Sequence, residues 1–489
     1  MTYTRVFQGE EKTVTESYVI NTQPAWLETT GNPAIAQNFM TAKVTTPAPK
    51  EFSDRLYFIN NLGAADVRAS RAVWNNPVGG ALQWNNPPRN AILDTKGEIR
   101  WYMKADRIYD PESLYDAGIM MGFHQNADGA LSWGYGQHYA KYDLLGRKVF
   151  NRRLPPNYAD FSHAMMPAEN GGYFLRVASP DLRRADDTRV RTVRDVIIEV
   201  DASGEVVDEW RLFEILDPNR NIVLKSIDQG AVCLNIDTSQ SGKTLSAEQL
   251  AKLEAQHAFG DIAGTGAGRN WAHVNSVDHD PVDDSIILSS RHQSAVVKIG
   301  RDKQVKWILA APNGWRDGLK DKVLTPVGKD GRPLSCRIGK CEGGFDWTWT
   351  QHTAWKIDEL SKGDIVYVSV FDNGDGRAFV QPEDQNEKYS RAVVYKIDQK
   401  AMTVEQVWEY GKERGHELYS PITSSVEYQA DKNSVVVYWA SIGTGSKTGP
   451  APVLTEFRWG ETKPAFEMHL KGGMGYRALP IDAQKAFVR

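Results

Sequence analysis

Three histidines in similar settings are the side chains of this chain best suited to chemistry. His163, His273 and His352 each open or closely precede a short strand-like run. An imidazole near neutral pH serves as a nucleophile or as a general acid and base. His352 stands apart because three tryptophans and a phenylalanine lie around it between residues 345 and 355. We therefore predict that His352 is a covalent nucleophile and that the rest of the chain supplies the pocket around it.

Polar side chains of other types accompany these histidines. Asn275 follows His273 by two positions, which places both on one face of a strand. Arg291 is expected at the end of the partner strand. A guanidinium and an amide beside imidazoles suit a tetrahedral oxyanion such as sulfate or phosphate. Imidazole attacks such centres, and a second imidazole can exchange a proton with the leaving or entering oxygen.

The same residues are open to other interpretations. Three imidazoles can ligate zinc, but Arg291 in the same cluster would repel a metal ion, and no metal site is predicted. A pocket of this kind also suits a binding module that holds an anion without chemistry, or a metal-dependent hydrolase or lyase. A histidine at a strand start is often structural or superficial. We assign mostly surface or turn positions to the remaining histidines, which are His124, His138, His257, His279, His292, His416 and His469.

A turn motif that recurs six times predicts the fold. In each copy a turn with Asp, Asn or Gly is followed by a run that ends in a large side chain, as a β-hairpin requires. The copies span residues 94–101, 143–150, 201–210, 301–307, 398–408 and 459–466. This period, with almost no helical periodicity, is typical of a β-propeller. We predict an all-β chain with a six-bladed β-propeller at 51–489, preceded at 1–50 by a linker and a truncated N-terminal β segment.

A second repeated feature places the candidate residues. In each predicted unit a strand-like run precedes an Asp, Asn or Gly turn and a second apolar run. The equivalent position of every blade in a propeller faces the same axial funnel. The residues predicted to converge there, although scattered in sequence, are His163, His273, His352, Thr423 and Tyr476.

Composition narrows the classes of partner. The chain has 489 residues, of which 41% are hydrophobic and 25% charged, as expected for a globular protein with a large core. Its net charge of −4 gives no basic face for nucleic acid. No apolar run approaches the roughly 18 residues of a membrane helix, so no membrane partner is predicted. Residues 443–449 fail the phosphate-loop pattern because Ser446, not glycine, precedes Lys447; no cofactor is predicted.

The cysteines leave two interpretations open. Cys336 and Cys341 are close enough in sequence to bridge, yet three reduced thiols fit the spacing equally well. Cys233 lies in an apolar run and is expected to be a buried thiol.

Several longer motifs resemble one known family, the bacterial arylsulfate sulfotransferases that do not depend on phosphoadenylyl sulfate. The resemblance runs from about Val14 to about Pro480. It is carried by Gly268-Arg-Asn-Trp-Ala-His-Val-Asn-Ser276, Asp284-Ser-Ile-Ile-Leu-Ser-Ser-Arg-His-Gln293, Thr350-Gln-His-Thr-Ala-Trp355, Phe371-Asp-Asn-Gly-Asp-Gly-Arg377, Trp408-Glu-Tyr-Gly-Lys-Glu-Arg414 and Tyr419-Ser-Pro-Ile-Thr423.

The resemblance implies a reaction, a setting and an assembly. It implies transfer of a sulfuryl group from a phenolic sulfate ester donor to a phenol acceptor, in a ping-pong sequence through a sulfo-histidine. It also implies a six-bladed propeller, a homodimer and a periplasmic location. The family begins with a signal peptide and an N-terminal β-sandwich domain, of which only the last strands are expected here, before about residue 50.

The resemblance also implies residue roles. His352 matches the histidine that is transiently sulfated, and His163 matches the general acid and base. The groups that hold the sulfuryl oxygens match His273, Asn275, Arg291 and Thr423. Cys336 and Cys341 match the family's disulfide pair. For the aryl ring of the substrate we name Tyr476 and Trp355 as contacts.

Overall fold

The computed structural model describes most of the chain in separate ranges. These ranges are residues 2–7, 9–15, 40–62, 89–103, 108, 118–179, 183, 187, 195–228, 245–256, 269–380, 383–444 and 446–485. The expected buried thiol, Cys233, lies outside them.

Strands dominate the described residues. In chain order they are β1 (Thr2–Phe7), β2 (Glu10–Thr15), β3 (Thr41–Thr46), β4 (Leu56–Asn61), β5 (Ala91–Asp94), β6 (Ile99–Tyr102), β7 (Met121–Gln125), β8 (Leu131–Tyr135), β9 (His138–Tyr142), β10 (Lys148–Arg153), β11 (Met165–Pro167), β12 (Tyr173–Val177), β13 (Val196–Val200), β14 (Val206–Arg211), β15 (Val274–Asp280), β16 (Ser285–Ser290), β17 (Ala295–Gly300), β18 (Val305–Leu309), β19 (Thr325–Pro326), β20 (Cys336–Arg337), β21 (Lys340–Cys341), β22 (His352–Lys356), β23 (Ile365–Asp372), β24 (Arg391–Asp398), β25 (Thr403–Tyr410), β26 (Ser425–Gln429), β27 (Ser434–Trp439), β28 (Val453–Arg458), β29 (Phe466–Lys471) and β30 (Gly475–Pro480). The α-helices are α1 (Leu212–Ile215), α2 (Ile222–Ser226) and α3 (Ala247–Ala255).

Six antiparallel sheets form the blades of a propeller, which confirms the predicted fold. The sheets run β7–β8–β9–β10, β11–β12–β13–β14, β15–β16–β17–β18, β22–β23–β24–β25, β26–β27–β28–β29 and β30–β4–β5–β6. Their first-named strands contact one another in a closed ring, in the order β7, β11, β15, β22, β26, β30 and back to β7. These six inner strands surround the axis. All six predicted turns join the third and fourth strands of a blade.

Both ends of the chain contribute to ring closure. The last strand, β30, pairs with β4, so one blade combines C-terminal and N-terminal strands. The strand β3 pairs with β29 and becomes a fifth strand of the neighbouring blade. The propeller therefore takes one strand from residues 1–50, the range predicted to hold a linker and a truncated N-terminal β segment. The hairpin of β1 and β2 forms a sheet of its own.

The turns show why the motif predicts hairpins. The carboxylate of Asp143 accepts hydrogen bonds from the backbone N–H groups of Leu145 and Arg147, at 3.0 and 2.8 Å. Gly146 has φ +81°, a conformation that costs glycine little. An aspartate followed three residues later by a glycine therefore closes the chain on itself between two strands.

Each of these sheets is covered on both faces by its neighbours, so the hydrophobic core lies between adjacent blades. Ile286 and Leu288 of β16 pack with Phe174 of the preceding blade. Ile287 of the same strand packs with Val368 of the following blade. Side chains alternate between the two faces of a strand, so a strand with no exposed face is apolar at successive positions. This packing holds the six inner strands in fixed register around the axis.

Candidate active site

The predicted residues meet at one end of the ring of inner strands. The ring of His163 lies 5.0 Å from that of His273 and 5.7 Å from that of Tyr476, centroid to centroid. The ring of His352 lies 6.4 Å from that of Tyr476. The backbone nitrogen of Thr423 is 3.2 Å from Nε2 of His352. These residues come from five blades, so the propeller brings together what the sequence separates.

Hydrogen bonds fix the tautomer of His352. Asn373 donates through Nδ2 to the carbonyl oxygens of Ser420 and Thr423, at 2.7 and 3.1 Å. Its Oδ1 is therefore the acceptor that faces Nδ1 of His352, at 2.8 Å. Nδ1 carries the hydrogen, and Nε2 keeps the lone pair that accepts from Thr423. A nucleophilic imidazole needs this lone pair.

The surroundings keep His352 uncharged. Its side chain is 3% exposed, and burial is the main cause that lowers its pKa to about 3; the positive charge of Arg291 acts in the same direction. The ring is therefore neutral at any ordinary working pH. Protonation does not compete with nucleophilic attack.

His163 is held in the opposite tautomer. Nη2 of Arg176 lies 3.1 Å from its Nδ1, and Oγ of Ser162 lies 2.6 Å from the same atom. Arginine has donors only, so Nδ1 must accept. In the neutral ring the hydrogen is then on Nε2. His163 can donate a hydrogen bond through Nε2 without first gaining a proton.

His273 is clamped by polar and aromatic neighbours. Nδ2 of Asn270 lies 3.0 Å from its Nδ1. The ring of His292 lies 4.5 Å from the ring of His273, and His292 is fully buried. The expected surface or turn position of His292 is therefore wrong, and so is that of His138, which is 9% exposed. His257 lies outside the described residues.

Arg291 supplies a buried positive charge with unused donors. Its side chain is 1% exposed, and its Nη2 donates weakly to the carbonyl of Pro421 at 3.4 Å. Its Nε and Nη1 meet no acceptor among the described residues, and no ion pair with a carboxylate is found for it in those ranges. A buried guanidinium without an acceptor is costly unless an anion binds there. This is the observation in the site that most directly indicates an anionic ligand.

Two of the side chains predicted to hold the sulfuryl oxygens donate to backbone carbonyls in this structure. Nδ2 of Asn275 donates to the carbonyl of Gln351 at 2.7 Å. Oγ1 of Thr423 donates to the carbonyl of Ile422 at 2.6 Å, which leaves the backbone N–H of Thr423 as the group facing His352. Neither side-chain donor is directed at an anion in this arrangement.

Unusual backbone conformations cluster at the same place. His163, His273 and Thr423 have φ of +71°, +46° and +56°. Residues other than glycine rarely adopt this left-handed region, at a cost of roughly 1–3 kcal/mol each, and they concentrate at functional sites. Three blades thus hold a site residue in a strained conformation just before the inner strand begins.

Trp355 lies farther along the axis. It is the fourth residue of β22, and the guanidinium of Arg477 lies 4.8 Å from its ring. It lines a cavity of about 360 Å³ together with Phe123 and Arg477, whereas the three site histidines do not line that cavity. The prediction that Trp355 contacts the aryl ring in the active centre stays untested.

The cysteine loop forms the predicted bridge. Cys336 and Cys341 form a disulfide that closes the hairpin of β20 and β21. Gly339 at the tip packs so closely that an added Cβ would lie 2.7 Å from the ring of Trp349. The loop therefore covers the aromatic segment that leads into His352.

Two further properties concern metals and membranes. Across the described ranges, His, Cys, Asp and Glu side chains form no group of three or more suited to hold a metal ion. The zinc interpretation finds no ligand cluster there. In the same ranges every helix falls short of the length and apolarity that a membrane crossing requires.

Sequence reasoning missed the residues that orient the histidines. Asn373 lies in one of the motifs that carry the family resemblance, so the sequence held a signal for it, but no role was predicted for this residue. Asn270 and Gln351 also lie in motifs of that kind, whereas Arg176 and Ser162 carry no motif that would single them out. Their contribution depends on contacts between side chains that are not adjacent in the chain.

Comparisons with known proteins agree with the geometry. The family model described as arylsulfotransferase (ASST) matches residues 41–477. The arylsulfate sulfotransferase AssT of Escherichia coli O6:H1 strain CFT073 is 45% identical over 447 residues, which cover 88% of this chain and 72% of that protein. AssT of Lelliottia amnigena is 43% identical over 447 residues, with the same two coverages of 88% and 72%.

The similarity to solved structures is weaker than the similarity in sequence. A protein of unknown function from Bacteroides caccae covers 87% of this chain and 98% of its own, but its TM-score of 0.42 and identity of 10% are too low to carry an argument. The sequence matches span nearly the whole propeller and include every residue of the candidate site. The chain therefore belongs to the arylsulfotransferase family and is a sulfotransferase enzyme.

Proposed function

We propose that the chain moves a sulfuryl group from a phenolic sulfate ester to a phenolic acceptor, with His352 as its covalent carrier between the two. The observation that carries the proposal is the pairing of a neutral, buried imidazole with Arg291, whose buried donors lack an acceptor in the described ranges. The family match favours the sulfate group of an aryl sulfate as the anion that binds there. The site provides a nucleophile and a counter-charge for it.

In the first half-reaction, the sulfate group of the donor lies against Arg291. Nε2 of His352 attacks sulfur, so that an N–S bond forms while the S–O bond to the aryl group breaks. The electron pair of that bond leaves on the phenolic oxygen. The backbone N–H of Thr423, released from Nε2, is placed to donate to a sulfuryl oxygen.

His163 is proposed to act on the phenolic oxygen. The family resemblance implies a general acid and base, but the hydrogen bond from Arg176 opposes a second proton on Nδ1. We propose the narrower role in which His163 donates a hydrogen bond from Nε2 to the departing oxygen. The phenolate then takes its proton from water.

The second half-reaction reverses these steps. The acceptor phenol gives its proton to water, and the resulting phenolate oxygen, which accepts the hydrogen bond from Nε2 of His163, attacks sulfur on the side from which the first phenolate left. The N–S bond breaks, and its electron pair returns to Nε2 of His352. His273 and Asn275 border the same space, and we propose that both contact the sulfuryl oxygens once the ligand displaces the resting bonds.

The test follows the group through both half-reactions. Purified protein is mixed with 4-nitrophenyl sulfate, with and without phenol, and nitrophenolate release is recorded. An adduct of about 80 Da, one sulfuryl group, is then mapped by mass spectrometry in the absence of phenol. We expect release that depends on phenol and an adduct on His352 that phenol removes.

Matched variants make the result specific. His352→Asn should abolish the adduct and the turnover. His469→Asn, on the outer strand β29 with a side chain that is 37% exposed, should change neither. Steady release without phenol would show a hydrolase instead. Release with no adduct on His352 would show direct transfer between the two phenols.

Location is a separate proposal. A disulfide persists in an oxidising compartment, and the bridge between Cys336 and Cys341 supports the periplasmic placement that the resemblance implies. Thiol counting on protein isolated from its native compartment would test it, because two free thiols at these positions would contradict the placement. The expected homodimer remains a prediction.

A further inference from the structure

A second compartment lies on the propeller axis beyond the active centre. Three of the six inner strands, β11, β15 and β22, begin at or just after a site histidine, and all six lead along the axis. Later positions of the same strands, among them Phe123, Asp278, Trp355, Glu427 and Arg477, line a cavity of about 360 Å³. The three histidines do not line it. We call this cavity the axial chamber.

Arg477 forms the wall between the chamber and the active centre. Its side chain is 3% exposed, and its Nη2 donates to the carbonyl of Asn275 at 3.0 Å. Its Nε meets no acceptor among the described residues. The flat guanidinium lies 4.8 Å from the ring of Trp355. The chamber thus contains a buried donor without an acceptor beside an aromatic surface.

The polar lining also contains Lys356 and four carboxyl groups, which belong to Asp278, Asp358, Glu359 and Glu427. Asp278 is 8% exposed and accepts hydrogen bonds from the backbone N–H groups of Lys356 and His279, at 2.7 and 2.9 Å. Glu427 is half-buried in the chamber. Burial raises the pKa of the Asp278 and Glu427 carboxyls to about 7. Near neutral pH these groups offer both donors and acceptors.

This lining distinguishes between aromatic ligands. Four acidic residues against one lysine and one arginine disfavour an aryl sulfate or another aromatic anion, because a like charge nearby is repelled. A neutral phenol has an apolar ring and a hydroxyl that both accepts and donates one hydrogen bond. The ring matches Phe123, Trp355 and Tyr428. The hydroxyl matches the Nε donor of Arg477 and the carboxylate acceptor of Glu427.

We propose that the axial chamber is a second, non-catalytic binding site for a neutral phenol, with the ring against Trp355 and the hydroxyl between Arg477 and Glu427. Its occupant touches Arg477, which is hydrogen bonded to Asn275 in the active centre. The proposal concerns binding alone, so it does not depend on the transfer reaction.

The test detects a ligand in the axial chamber through the NMR signal of Trp355. Protein labelled with 5-fluorotryptophan is studied by 19F NMR, and the resonance missing in Trp355→Phe is assigned to Trp355. Phenol, with no sulfate donor present, should shift this resonance in a saturable way. Glu427→Gln and Tyr428→Leu should each raise the half-saturating phenol concentration about fivefold or more, since the first replaces the carboxylate acceptor with a weaker amide acceptor and the second removes a ring contact. Glu205→Gln, at an exposed turn, should leave it unchanged.

Two further measurements separate the chamber from the active centre. Benzenesulfonate, an anionic aromatic that cannot transfer its group, should shift the Trp355 resonance much less than phenol. Turnover of 4-nitrophenyl sulfate at low phenol should stay within about twofold of wild type in Glu427→Gln and Tyr428→Leu. A resonance that phenol does not move, or that benzenesulfonate moves equally, would overturn the proposal. So would a parallel loss of phenol binding and turnover, which would make the chamber part of the catalytic site.

Discussion

The guanidinium of Arg176 donates a hydrogen bond to Nδ1 of His163 across 3.1 Å, in a pocket where both side chains are buried. The Nε of the same arginine donates to the carbonyl of Ser162 at 2.9 Å, which fixes its position. A protonated His163 would place two donors face to face. The pair therefore favours a neutral imidazole with its hydrogen on Nε2.

Replacing Arg176 should affect poor leaving groups most. In Arg176→Leu the tautomer of His163 is no longer enforced, and we expect kcat/KM to fall roughly 10- to 100-fold for phenyl sulfate. The loss should be only a few-fold for 4-nitrophenyl sulfate, whose phenolate needs little stabilisation. The measurement is kcat/KM for a series of aryl sulfates against the pKa of the leaving phenol. Arg176→Lys retains a donor and should recover part of the loss; an equal loss across the series would instead indicate a structural role.

Asn373 should set the tautomer of His352 as Arg176 sets that of His163. Asn373→Leu removes the acceptor for Nδ1 of His352, so the ring can carry its hydrogen on Nε2, where attack must occur. We expect adduct formation to slow by roughly 100-fold or more, as when a catalytic histidine loses its orienting partner. Asn373→Asp keeps an acceptor and should retain more activity. Rapid-quench mass spectrometry of the adduct measures the rate, and a wild-type rate in Asn373→Leu would refute the tautomer argument.

Arg291 should show opposite effects on activity and stability. Arg291→Met removes the buried charge that has no acceptor in the described ranges, so we expect the free energy of unfolding to rise. Transfer should fall about 100- to 1000-fold, since a donor to the developing charge is lost. Inorganic sulfate should raise the Tm of the wild type but not that of the variant. The control is Arg458→Met, an exposed arginine paired with Glu51; destabilisation of Arg291→Met would contradict this account.

The pH dependence of the first half-reaction follows from the pKa of His352. With a pKa of about 3 the ring is about 99% neutral at pH 5, whereas an unperturbed histidine of pKa about 6.5 would be about 3% neutral. The rate of adduct formation should therefore change less than about twofold between pH 5 and pH 8. Quenched samples read at alkaline pH avoid the titration of nitrophenol itself. A tenfold fall per pH unit below pH 6.5 would show that His352 titrates normally.

Local sequence was sufficient for the fold and for the position of the site along each blade. A turn such as Asp143 to Gly146 closes a hairpin through its own backbone and side-chain hydrogen bonds, so the recurrence of turns with Asp, Asn or Gly predicts the blades. The start of each inner strand is equally local, because strand alternation and a following turn define it. His163, His273 and His352 could therefore be assigned to one funnel before any contact was known.

Only the tertiary structure decided the tautomer and the hydrogen-bond partners of those histidines. The partner of His163 lies 13 residues away, that of His352 is Asn373, 21 residues away, and the N–H that meets Nε2 belongs to Thr423, 71 residues away. His292 is buried because its ring packs 4.5 Å from that of His273 and its Nδ1 donates to the carbonyl of Asn270, contacts that the sequence does not reveal. Tautomer and pKa depend on burial and on charges at distances of a few ångströms, and residue order does not contain those distances. The sequence by itself determined which side chains enter the funnel, and folding decided which nitrogen carries the hydrogen and which charge meets no carboxylate among the described residues.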